Sequence, residues 1–382
     1  MAQTIVRLQT KLMRDYYKDF SKYAKGRLPE KKTAWVTAFT PVEILEALDI
    51  SYYYPESYAA VIAASGKEQK MLAESEVRYL SRDCCSYSGC FHGCITTEDG
   101  PRGIPPKPDI LIATNNQCNT LPNWWNLLAA EYNVPLIVLD YPGEAYDRTG
   151  AFAYVTKQHK QMIAELEKLS GNKLDMNVLS GLLENSRKSV AAWEDVIGYL
   201  PQKKVPPTAL FDDITFLITS RCKKETSELY KMMAVTMQDM PKADQTLMPV
   251  FWLGYPLWYH PDRYLKELLD GCRIVGANYI TWWNLSYEGD DVFEQLFSAY
   301  NDTFLNLSLE SRNRRLTKII RDSGAVCAVS LHNKSCKCDF VSARNIRLPQ
   351  AELEIDMIDR EFLDMAKAEK QMQLLKGMVW NL

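Results

Sequence analysis

No run of 18 apolar residues occurs in this sequence, so a membrane-spanning helix is not expected. The opening stretch, MAQTIVRLQTKLMRDYYKDF, is charged throughout and lacks the apolar core of a secretory signal peptide. Charge of one sign is scarce as well. The chain has 45 Lys and Arg against 48 Asp and Glu, and its basic runs stop at Lys31–Lys32 and the Arg312 to Arg315 segment. That balance offers nucleic acid no electrostatic footprint. Also missing are G-x-G-x-x-G after a strand, G-x-x-x-x-G-K-[ST], H-E-x-x-H and G-x-S-x-G. Their absence removes the dinucleotide, P-loop, zincin and hydrolase templates. What remains is a protein expected in the cytoplasm, a reducing compartment where cysteines rarely pair as disulfides.

Cysteine is what the sequence does have. There are ten, and the stretch SRDCCSYSGCFHGC (81–94) places four of them and His92 within eleven positions. Packing alone seldom concentrates thiols so tightly. Zinc is one alternative, through Cys85, Cys90, His92 and Cys94, but CxxxxCxHxC lacks the paired CxxC spacing of common zinc folds. Buried, inert thiols are another, since free cysteine often behaves as a small hydrophobe. That plainer reading suits Cys222, Cys272 and Cys327, which sit inside helix- or strand-like runs.

At 382 residues the chain is long enough for two or three domains. AWVTAFT (34–40), DILIAT (109–114) and PLIVLDYP (135–142) read as strands, with a helical pattern over 58–80 and another over 121–132. Their alternation predicts a parallel sheet of βαβ units across 1–153. Residues 154–240 read as helix without a convincing strand. Strand signals return in LMPVFWLG (247–254), RIVGANYITWW (273–283), AVCAVSL (325–331) and ELEIDM (352–357), giving a second α/β domain over 241–382. The fold class is therefore α/β, with two flavodoxin-like parallel-sheet domains and a helical region between them.

In open parallel sheets, ligands bind beyond the carboxyl ends of the strands. Cys118, in ATNNQCNT, follows the strand 109–114, and Cys336, in SLHNKSCK, follows the strand 325–331. If the domains face each other, Cys85 or a neighbour, Cys118 and Cys336 converge in one cleft. Three thiolates from three loops suit an iron–sulfur cluster with one open iron. Asn115, Asn116 and Asn119 are candidate hydrogen-bond donors to its sulfurs, or plain helix caps. His332 also follows a strand and is at best a supporting residue.

Three segments together, RYLSRDCCSYSGC, ATNNQCNTLPNWWNLLAAEYNVPLIVLDYP and GAVCAVSLHNKSCKCDF, resemble the cysteine-bearing segments of 2-hydroxyacyl-CoA dehydratase subunits. TPVEILEAL near the start and LEIDMIDREF near the end extend the resemblance over nearly the whole chain. The same superfamily includes ATP-dependent benzoyl-CoA reductase and double-cubane cluster proteins.

The resemblance implies a 4Fe–4S cluster on Cys85, Cys118 and Cys336, a homologous second subunit forming a heterodimer, and an ATP-dependent iron–sulfur activator. It also implies radical dehydration of an (R)-2-hydroxyacyl-CoA to the 2-enoyl-CoA. Cys84, Cys90, Cys94 and Cys338 are additional thiols that keep a double-cubane 8Fe–9S cluster open. The resemblance is equally compatible with a benzoyl-CoA reductase subunit and with an electron-relay subunit that has no substrate site of its own. The aromatic stretches GYPLWYH (254–260) and YITWWNLSY (279–287) are candidates for the wall of an acyl pocket.

Overall fold

A computed structural model describes residues 2–78, 80–259, 261–336 and 346–380. The chain opens with helix α1 (Ala2–Tyr23) and then builds the first sheet. Strand β1 (Thr33–Val36) leads to α2 (Val42–Ala47), and β2 (Ser51–Tyr53) to α3 (Pro55–Ala64). Next come α4 (Glu68–Val77), α5 (Ser86–Thr97), β3 (Ile110–Thr114), α6 (Thr120–Tyr132) and β4 (Leu136–Leu139). All pairings are parallel, in the order β2-β1-β3-β4.

Helices α7 (Arg148–Ser170), α8 (Met176–Gly198), α9 (Pro207–Ser220) and α10 (Lys224–Gln238) follow. The second sheet uses β5 (Met248–Leu253), α11 (Pro261–Leu268), β6 (Cys272–Ala277) and α12 (Asn278–Thr281). Helices α13 (Val292–Asn301) and α14 (Leu309–Ser323), strands β7 (Cys327–Asn333) and β8 (Gln350–Ile355), and α15 (Met365–Trp380) complete it. Its order, β6-β5-β7-β8, repeats that of the first sheet, again all parallel. This is the doubly wound, flavodoxin-like order, with the switch point between the first and third strand of each sheet.

Several expected elements end differently, among them the strand at 135–142, which stops at Leu139. The strand at 34–40 stops at Val36 because Thr37 turns inward: its Oγ1 takes the Thr114 N–H at 3.0 Å and meets Thr114 Oγ1 at 2.9 Å. The helical pattern over 58–80 is two helices, parted at Gly66, whose φ of 75° a side chain rarely adopts. The strand at 273–283 closes at Ala277, since Asn278 begins α12 and its Oδ1 accepts the Gly254 N–H at 2.8 Å. Strand β2 has no counterpart in the sequence pattern. Three residues between two helices leave no period to read.

Helix α5 explains the unusual 81–94 composition. Gly89 and Gly93, four apart, share one face, and a Cβ on Gly93 would lie 1.9 Å from the Met71 carbonyl oxygen. Only glycine lets α5 settle this closely on α4. Cys90 and Cys94 are fully buried in the core beneath Trp35 and Phe91. They pack inside a helix whose N-cap is Cys85.

The two α/β units and the helices between them are joined by a buried charge network. Glu43 of α2 is fully buried and accepts from Ser186 Oγ (2.6 Å), Tyr287 OH (2.9 Å) and Tyr300 OH (2.5 Å). Arg221, just after α9, reaches the same carboxylate at 3.3 Å and also donates to the carbonyls of Thr40 and Ile218. Each buried charge thus has opposite charge and several hydrogen bonds, the condition for tolerating it.

Candidate functional site

The loops at the carboxyl ends of both sheets face one another, and the three cysteines lie there. Cys85 caps the start of α5, Cys118 precedes α6 after β3, and Cys336 follows β7. All three pack around the same apolar cluster, beside Tyr255 and Trp258. Burial raises the Cys85 thiol well above its usual range, and Cys336 and Cys118 add to the rise through space. Cys118 is pushed up to about 11 by burial and by Cys336.

Backbone donors favour the thiolates. The N–H groups of Tyr87 and Ser88 act on Cys85, and those of Thr120 and Leu121 on Cys118, each lowering its pKa against burial. Both sulfurs therefore sit at helix N-termini, where orphan amides favour anionic sulfur. Cys336 is held by its loop, its N–H donating to Asn333 Oδ1 at 3.3 Å. Two of the loops are latched directly: Ser86 Oγ lies 2.9 Å from Ser335 Oγ, which donates to buried Asp356 at 2.6 Å. Trp258 Nε1 donates to Tyr87 OH at 2.6 Å, tying the β5 loop to α5. Cysteine positions from two different sheets are thus fixed to each other by side chains adjacent to them.

Beside the cysteines is a cavity of about 370 Å³. Its wall comes from the loop after β1, from α3, α9 and α12, and from the β5 loop, with Gln117 and Tyr87 at the cysteine end. The aromatic stretches anticipated for such a wall supply Tyr255, Trp258, Tyr279, Trp282 and Trp283. Glu56, in the first turn of α3, lines the same space. Its Oε2 accepts the Ala38 N–H at 2.9 Å, yet burial, helped by Cys336, raises its pKa to about 7. A carboxyl poised near neutrality in a cavity is a candidate acid and base. Sequence reasoning does not single out Glu56. The available signal is a carboxylate opening a helix directly after a parallel strand, in YYYPES.

The other anticipated residues are placed as follows. Asn115 donates to Asp140 and accepts the Tyr141 N–H at 2.8 Å, while Asn116 donates to the Tyr300 carbonyl at 2.8 Å. Their amide donors tie loops together and are not directed at the cysteines. Asn119 is exposed and occupies the cap position of α6 without a side-chain cap bond. His332 Nε2 lies 3.6 Å from Glu352, among residues that line a different surface pocket.

Cys84 is exposed, and Cys338 lies outside the described residues. Cys90 Sγ faces the Ala59 carbonyl, and His92 Nε2 meets Glu131 at 2.8 Å, so the zinc alternative finds its ligands turned to separate partners. Among the described residues, no three His, Cys, Asp or Glu side chains gather as around a single ion. A cubane is wider than one ion, with each thiolate on a different iron. Three thiols from three loops, with backbone amides at two of them, are a donor set of the kind that holds an iron–sulfur cluster.

The family model of the 2-hydroxyglutaryl-CoA dehydratase D-component matches residues 37–373. The (R)-2-hydroxyisocaproyl-CoA dehydratase alpha subunit of Clostridioides difficile is 26% identical over 373 residues, covering 91% of this chain and 90% of its own. The (R)-phenyllactyl-CoA dehydratase alpha subunit of Clostridium sporogenes is 25% identical over 321 residues, covering 80% and 77%. A benzoyl-CoA reductase subunit of Thauera aromatica is 24% identical over 386 residues, covering 90% and 88%. The matched span takes in all three cysteine loops, the second sheet and every strand of the first but β1, and the chain belongs to the 2-hydroxyglutaryl-CoA dehydratase D-component family.

Proposed function

We propose that this chain is the iron–sulfur subunit of a radical (R)-2-hydroxyacyl-CoA dehydratase, working with a homologous second subunit and an ATP-dependent activator in the cytoplasm. The observation that carries this reading is the packing of Cys85, Cys118 and Cys336 against one apolar cluster, beside a cavity lined by Glu56. These cysteines would hold a 4Fe–4S cluster, which when bound supplies one-electron reduction of the thioester and an iron open to its carbonyl oxygen.

The protein's own groups do the rest. The aromatic wall orients the acyl chain and excludes water. Glu56, half protonated near neutral pH, gives its proton to the departing C2 hydroxide, which leaves as water. The resulting carboxylate then takes the proton lost from C3, so the acid is restored at the end of each cycle. Ala38 N–H steadies the carboxyl in either state.

The burial of Cys90 and Cys94 inside α5 supports one cubane over an 8Fe–9S cluster. A carboxyl and a cavity on this chain support a substrate site here over an electron-relay role. Benzoyl-CoA reduction is the second reading, favoured by the aromatic wall and by the likeness to the Thauera aromatica benzoyl-CoA reductase. Electron counting separates the two. A dehydratase returns its electron, so one activation of the complete complex supports many turnovers. Product formed only in proportion to reductant supplied would overturn the dehydratase reading.

A further inference from the structure

The cavity beside the cysteines has an inner end and a mouth with different chemistry. Phe39, Tyr279, Trp282, Trp283 and Leu305 are all at most 5% exposed and form its buried wall. Phe39 and Trp283 stack at 4.7 Å between ring centroids with 25° between planes, and Trp282 meets Tyr255 edge-on at 5.2 Å. The exposed lining residues are Ala64 of α3 and Asp212 of α9, so the opening lies between those helices.

Charge in the lining is of one sign. Glu56, Asp212 and Asp213 are its ionisable acids, and among the described residues that line it there is no Lys, Arg or His. Arg221 is buried nearby, just past the end of α9, but is committed to Glu43, Tyr300 and two backbone carbonyls. Asp213 accepts from Gln9 at 2.7 Å, and although burial raises its pKa to about 6, it carries its charge from neutral pH upward. An acyl chain ending in a carboxylate would enter a space with acids on its wall and no cation among its described lining residues.

We infer that this subunit takes an uncharged acyl chain bearing an aromatic ring and rejects dicarboxylic acyl chains, including the 2-hydroxyglutaryl group for which its family is named. The inference rests on the acyl-CoA reading above. Face and edge contacts with the buried rings favour an aryl group over an alkyl group by about 2- to 10-fold. An unpaired carboxylate in the same space costs far more, about 100-fold or greater. A cavity of about 370 Å³ is within the size range of small-molecule sites.

The test is calorimetric titration of the anaerobically purified protein with trans-cinnamoyl-CoA, 4-methylpent-2-enoyl-CoA, glutaconyl-CoA and free CoA. The CoA portion is common to all four, so differences report the acyl site. Cinnamoyl-CoA is expected to bind tightest and glutaconyl-CoA about 100-fold more weakly. Glutaconyl-CoA binding within threefold of cinnamoyl-CoA would overturn the inference while leaving the acyl-CoA reading intact. No ester binding better than free CoA would overturn both. Val61→Lys, at a half-buried lining position of α3, supplies a cation. It should improve glutaconyl-CoA by about tenfold and leave cinnamoyl-CoA no tighter.

Discussion

Replacing Glu56 by Gln removes a titrating proton while keeping an acceptor for the Ala38 N–H, so the effects of charge can be read apart from those of shape. In the folded chain the carboxyl titrates at about 7 instead of 4.5, because burial penalises its charged form. The folded state therefore binds this proton more tightly than the unfolded state. The stability that results is fully present below pH 4.5 and is lost as pH rises through 7.

A shift from 4.5 to about 7 corresponds to roughly 3 kcal/mol at most, and partial exposure of the side chain reduces it to about 1–2 kcal/mol. Urea unfolding of cluster-free protein at pH 4.5 and pH 8 measures it. The parent should lose about 1–2 kcal/mol more than Glu56→Gln between the two. The same variant, in the complete enzyme, should lower kcat/KM by about 10²- to 10⁴-fold while changing product binding little. Equal pH dependence of parent and variant, with activity retained, would refute both the buried-acid argument and its catalytic role.

Two further outcomes follow from buried charge. Arg221→Met should destabilise the chain by about 3–5 kcal/mol in chemical denaturation, because it leaves Glu43 buried without its cation. Adding Glu43→Gln should recover most of that loss, and a double variant no better than the single would contradict the pairing. His159, fully buried with Nε2 2.8 Å from Tyr141 OH, has its pKa lowered to about 3 by burial. The unfolded chain binds this proton below pH 6.5 and the folded chain refuses it, so stability should fall by up to about 1.4 kcal/mol per pH unit below 6.5. His159→Gln should flatten that acid limb in pH-dependent unfolding.

The parallel sheets were legible because their strands are short apolar runs closed by polar loops, and the strand-end rule leads from those loops to Cys118 and Cys336. Cys85 is singled out from its neighbours only by the resemblance of its segment. The helix that presents it depends on Gly89 and Gly93 meeting α4, a contact between elements that no local pattern encodes. Glu56 was hidden for a similar reason. Its raised pKa comes from burial in a cavity that exists only once both sheets face each other, and from Cys336, which lies in the other sheet's loop. The Glu43–Arg221 network likewise joins residues from α2, α8, the end of α9 and the 287–300 region, which are far apart in the sequence.

The most direct test of the account is iron and acid-labile sulfide analysis of the anaerobically purified chain and its cysteine variants. The parent should carry about four irons and four sulfides, as one cubane requires. Cys85→Ser, Cys118→Ser and Cys336→Ser should each lose most of that load, whereas Cys90→Ala and Cys94→Ala, both buried in α5, should keep it. Zinc without iron in the parent, or a full iron load after Cys118→Ser, would contradict the three-cysteine site on which the rest depends.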